Sequence, residues 1–100
     1  MRIGQAMSDY LWELDAAGGP VTVPDLAERT GRGGFRRGWW YEPAHRLEES
    51  GLAFAVYIRP EGKRSHRALV ISPLGTGMVA EWRREGYRRP RHSKRKKKSR

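Results

Sequence analysis

Ile3, Met7, Tyr10/Leu11 and Leu14 recur at helical spacing, which predicts an amphipathic helix over residues 3–16. Gly18-Gly19-Pro20 ends it, and Val21-Thr22-Val23 is short and extended. Thr22 then has the place of an N-cap, with Pro24 in the first turn and Asp25 three residues on. That second helix runs through Leu26-Ala27 to about Thr30, with Gly31 just past its end. After the turn GRGGFRRG, Gly31 to Gly38, a third helix ends at Glu49/Ser50 before Gly51. On it Trp40, Ala44 and Leu47 share a face and are expected in the core. Gly38, Glu42, His45 and Glu49 lie opposite, flanked by Trp39, Tyr41 and Arg46. Pro43 either kinks this helix or starts it late, with Glu42 as the cap.

Leu52, Phe54, Val56 and Ile58 alternate with Ala53, Ala55 and Tyr57, the period of a half-buried strand. Pro60-Glu61-Gly62-Lys63 is turn chemistry, and Arg67 to Ile71 is the returning strand. Ser72-Pro73 opens a fourth helix with Leu74, Met78 and Trp82 on one face, fraying near Gly86. The order helix, short strand, helix, helix, hairpin, helix predicts an α+β fold of the winged helix-turn-helix kind. Its parts are a three-helix core, a two-stranded β-wing and a C-terminal helix, all within residues 1–85.

Charge adds a second layer. The 100 residues hold 21 Lys+Arg and 11 Asp+Glu, and the excess is local. From Arg83 to Arg100 eleven Lys/Arg face one acid, whereas residues 1–82 hold ten of each sign. Residues 86–100 are therefore expected to be a disordered polybasic tail, too poor in apolar side chains to offset the entropy of ordering. Within the neutral body, residues 29–46 carry five Arg against one acid, and residues 59–67 carry four cations against one. With no Cys there is no disulfide framework, thiolate zinc site or cysteine nucleophile, which favours an intracellular protein. No apolar run approaches the ~20 residues of a membrane span, and the N-terminal residues lack the order of a secretory signal. The expected location is cytoplasmic and nucleoid-associated.

The two basic segments coincide with the two parts of a winged helix that approach DNA, the third helix with its preceding turn and the wing tip. Candidate contacts to double-stranded DNA are Arg36, Arg37, Trp39, Tyr41, Glu42, His45 and Arg46, and on the wing Lys63, Arg64, His66 and Arg67. Trp39 is either a core residue or a surface that stacks on bases or sugar. Arg88, Arg89, Arg91, Lys94, Arg95, Lys96, Lys97, Lys98 and Arg100 of the tail would add non-specific attraction to a polyanion. GRGGFRRG reads better as a glycine-rich turn than as a fragment of an RNA-binding RGG box. No catalytic constellation stands out, the three His are scattered, and neither metal, cofactor nor enzymatic activity is expected.

Val21 to Trp82 resembles the winged-helix regulators of the MarR and PadR type. VTVPDLAERTG is similar to their second helix, and LEESGL to the end of their recognition helix running into the wing. RALVISPLG is similar to their second wing strand and the opening of the next helix, and YEPAHRLEESGL lies closest to PadR proteins. The resemblance implies a sequence-specific DNA-binding transcriptional regulator. From the residues alone two other readings stand beside it, an architectural or accessory nucleic-acid protein with little sequence choice and a protein-interaction module. A homodimer is expected, through Met7 and Leu11 of the first helix and Met78 and Trp82 of the last. The sequence names no small-molecule effector.

Overall fold

The computed structural model describes residues 3–59, 61–62 and 64–91. Helix α1, Gln5–Ala17, stops where Gly18 turns left-handed at φ 68° and returns its N–H to the Leu14 carbonyl. Every residue from Asp9 to Leu14 is buried, so α1 is wrapped on all sides and acts as the spine of the domain. Strand β1, Val21–Thr22, leads into α2, Val23–Arg29, whose first turn is closed by the Thr22 hydroxyl accepting from the Asp25 N–H. Helix α3, Arg37–Glu49, is followed by β2, Ala53–Ile58, and β3, His66–Ile71. Helix α4, Pro73–Arg84, starts at Ser72, whose side chain accepts from the Gly75 N–H.

Helices α2, α3 and α4 end alike. The residue past each C-cap is a glycine with positive φ, at Gly31, Gly51 and Gly86. The next N–H in each case reaches back across the last turn, from Arg32 to Ala27, Leu52 to Leu47 and Tyr87 to Trp82. Pro43 lies inside α3, which runs through it from Arg37. It is buried, and it has no N–H to give to the Trp39 carbonyl one turn earlier.

The result is an α+β domain of four helices and one antiparallel sheet. That sheet has three strands, in the order β1-β3-β2, not the two of the expected hairpin. Val21 pairs with Leu69 and Thr22 with Ala68, which places β3 in the middle. Val23, read from the sequence as extended, is instead the first residue of α2. The start of β2 also differs from the expected phase. Ala53 is buried opposite Ile71 and Phe54 stays 53% exposed, whereas further along Val56 and Ile58 are half-buried and Ala55 and Tyr57 are exposed. Leu52 reaches the core because it lies before the strand, in the turn after α3.

Helix α4 is rotated from its expected face. Gly75 and Val79 are its buried residues, Leu74 is exposed, and Met78 and Trp82 are half-buried. Gly75 allows this. A Cβ there would stand 2.3 Å from the Leu52 carbonyl oxygen and 2.8 Å from the Ile71 side chain. Leu11, expected at a dimer surface, is fully buried in the core with Tyr10, Leu14, Leu26, Leu47, Leu52 and Leu69. Among the described residues no helix is long and apolar enough to cross a membrane.

Two outcomes are expected. Gly75→Ala forces the α4 backbone away from Leu52, at a cost of about 3 kcal/mol in urea unfolding, whereas Gly77→Ala, next to open space in the same helix, stabilises by ~0.5–1 kcal/mol. The second concerns Tyr10, whose hydroxyl donates to the Trp40 carbonyl at 2.7 Å. Burial pushes its pKa up to about 12, with Arg32 pulling it back and Tyr41 adding to the rise. The unfolded chain releases this proton near pH 10. The contribution of Tyr10 is thus fully present below pH 10 and is lost as pH rises towards about 12. Tyr10→Phe is ~1 kcal/mol less stable than the parent at neutral pH. Urea titrations at rising pH should show that gap closing and then reversing, since only the parent loses stability through this group.

Candidate nucleic-acid interface

The turn between α2 and α3 is glycine-rich in sequence yet held firmly in the fold. Arg32 does much of this. Its guanidinium lies 3.0 Å from the buried Asp9 carboxylate on α1 and 3.1 Å from the Thr30 carbonyl. Its own carbonyl accepts the Trp40 indole N–H at 2.9 Å, and the Trp40 carbonyl in turn accepts the Tyr10 hydroxyl. Two backbone bonds complete the turn, from Phe35 N–H to Arg32 and from Trp39 N–H to Arg36, each 3.0 Å. Arg32 is thus a structural residue, which is the opposite of the flexible arginine of an RGG segment.

Arg36 is the N-cap of α3, where its side chain makes no capping bond, and Arg37 is the first helical residue. Both are exposed, and among the described residues neither forms an ion pair. The Arg37 guanidinium lies over the Trp40 ring at 5.9 Å, a cation–π contact that leaves its charge available. Trp40 and Tyr41 are half-buried against the core. Trp39 is 64% exposed and meets Phe35, itself 49% exposed, edge to face at 5.8 Å. Phe35 is not among the residues expected at the site. Its signal in the sequence is an aromatic residue standing inside a glycine- and arginine-rich turn that no apolar period claims.

Further along α3 the expected contacts face one another. Arg46 pairs with Glu42 at 3.0 Å and His45 with Glu49 at 3.3 Å, all of them exposed. Such pairs hold little free energy and exchange readily with other charges. Arg67 of β3 binds Glu48 near the end of α3, and both are partly buried. This contact ties the hairpin to the C-terminal part of α3, roughly 17 Å along the axis from Arg37. Arg64 and His66 are exposed on the hairpin, and Lys63 lies outside the described residues.

The first part of the expected tail is engaged with α1. Arg89 binds both carboxylate oxygens of the buried Glu13, at 2.8 and 2.9 Å. That hydrogen-bonded carboxylate holds the Arg89 pKa above its already high ordinary value. Arg83 pairs with Asp15 at 2.8 Å and lies over the Trp12 ring, which also packs on Trp82. Arg88 and Arg91 are exposed, and Arg91 lines an open cleft with Arg29, Arg89 and Glu13. Lys94, Arg95, Lys96, Lys97, Lys98 and Arg100 lie outside the described residues. Among the described residues no three His, Cys, Asp or Glu side chains stand together as metal ligands would.

The arrangement thus offers two arginines without an ion pair among the described residues and two exposed aromatic rings at the start of α3, side chains that pair with one another along it, and a cationic hairpin at its far end. No protein-family model and no curated protein sequence matches the chain.

Proposed function

We propose that the chain is a winged-helix protein that binds double-stranded DNA and acts as a non-enzymatic transcriptional regulator on the nucleoid. In this reading α2 and α3 form the helix-turn-helix, α3 enters the major groove from its N-terminal end, and β2 and β3 form the wing. The observation that carries it is the pair Arg36 and Arg37, exposed at the start of α3 and without acidic partners among the described residues. The turn that presents them is fixed to α1 by Arg32 and Trp40, so little ordering entropy is lost when they meet phosphate or a guanine edge. Arg64 on the wing and the basic residues after Arg91 supply further phosphate contacts in this reading. A homodimer on two half-sites would use the open groove of about 740 Å³ along α4, where Leu74, Gly77, Met78 and Trp82 are accessible. Its test is sedimentation with and without DNA.

The charge pairing along α3 favours a second reading. With Glu42, His45, Arg46 and Glu49 engaged among themselves, base readout rests on few side chains. This is the pattern of an accessory DNA-binding protein with little sequence choice. The two readings differ in the ratio of affinities for a duplex selected from a random pool and for its scrambled counterpart.

Titration of both duplexes at several salt concentrations tests the scheme. Truncation after Arg91 keeps the Glu13–Arg89 contact and removes six Lys/Arg, so the salt slope should fall by up to ~5 with the ratio unmoved. Replacing Arg36 and Arg37 by Ala should lower the slope by only ~2 and, where a guanine is read, relax choice at one or two positions. Loss of discrimination on truncation, with the double arginine variant unchanged, would overturn this division of roles.

A further inference from the structure

We propose that Phe35 and Trp39 form a stacking platform for an unpaired nucleobase, so that the preferred ligand is DNA carrying a base outside its helical stack. This rests on the nucleic-acid reading above and adds a ligand class to it. Neither ring belongs to the hydrophobic core. The two rings meet at 88° with centroids 5.8 Å apart. In such a T-shaped contact the edge of one ring covers part of one face of the other. The remaining faces stay open, in agreement with exposures of 49% for Phe35 and 64% for Trp39. Two rings at right angles make a corner in which a flat base can lie on one ring and touch the other with its edge.

The setting fits the same ligand. Arg36 and Arg37 lie between the two rings in sequence, are exposed, and have no acidic partner among the described residues. Aromatic faces interleaved with free guanidinium groups match a base and the phosphates on either side of it. The platform is also rigid. Both ring-bearing residues donate their backbone N–H into the turn, to Arg32 and Arg36, and Arg32 is fastened to Asp9 and Trp40. A thymine methyl in an intact duplex would use only a small part of this surface and leave the open ring faces idle. An unpaired base uses them.

The probes are an intact duplex and the same duplex with a single-nucleotide bulge carrying the fluorescent base 2-aminopurine. The protein should bind the bulged duplex about tenfold more tightly than the intact one and quench the bulged base. Trp39→Ala should abolish both the quenching and the preference, bringing the affinities for the bulged and intact duplexes to the same value, and Trp39→Tyr should keep both effects. Because stacking releases no counterions, Trp39→Ala should leave the salt slope unchanged, unlike loss of Arg36 and Arg37. Phe35 and Trp39 are outside the core, so thermal unfolding of the variants should match the parent. Equal affinity of the parent for the two duplexes overturns the platform and leaves the DNA reading standing. The platform is likewise overturned if Trp39→Ala weakens both duplexes equally, because the ring then serves an intact groove. Failure of the parent to bind either duplex overturns both.

Discussion

Asp9, Tyr10, Arg32 and Trp40 close a ring of contacts that joins α1, the end of α2 and the first turn of α3. Each link is polar and two of the four residues are fully or almost fully buried, so the ring is strongest when complete. Loss of the Arg32 guanidinium would remove a cation from beside a buried carboxylate. Loss of the Trp40 indole N–H would free the Arg32 carbonyl and with it the path of the turn. The glycines of that turn supply conformational freedom, and the ring removes it. A segment that composition alone would call flexible thereby becomes a rigid mount for the exposed side chains that follow.

The same helix carries a second buried acid one turn on. Glu13 meets Arg89 and Asp9 meets Arg32, so α1 gathers two arginines that lie 57 positions apart in the chain. A helix wrapped on all sides can carry carboxylates only if each is met by a cation with good geometry. These pairs also select among packings. An α1 rotated or shifted by one residue would bury the acids without partners, an error that Leu11 and Leu14 alone would penalise far less.

The parts of the fold readable from the chain are those set within a few residues. The Thr22 and Ser72 caps, the glycine stops at Gly31 and Gly51 and the C-terminal limit of α3 follow from local chemistry and stand where the sequence puts them. The errors are errors of facing. Leu74, Met78 and Trp82 make the more apolar stripe of α4, yet Gly75 points inward because only a missing side chain lets the helix approach Leu52. Phe54 stands on the more apolar side of β2, yet it is exposed, and Ala53 beside it is buried opposite Ile71 of the central strand. Pairing of Val21 with Leu69 joins residues far apart and leaves no local trace. At the candidate site, Arg36 and Arg37 are evident as cations in a turn. The Glu42–Arg46 and His45–Glu49 spacings are also in plain view, but their meaning depends on which face α3 leaves open.

The carboxylates beside the arginines of α3 and β3 have an electrostatic consequence of their own. Glu42 and Glu48 serve Arg46 and Arg67 as fixed counterions, built into the surface and present at every salt concentration. When such an arginine turns to a phosphate, the glutamate it leaves stays close by, so the pair as a whole brings no net charge to the nucleic acid. A paired arginine can therefore shape how a polyanion fits against the protein while leaving almost no mark on the ionic-strength dependence, which registers the unpaired cations alone. The surface in this way separates the charges that attract from a distance from those that act only on contact.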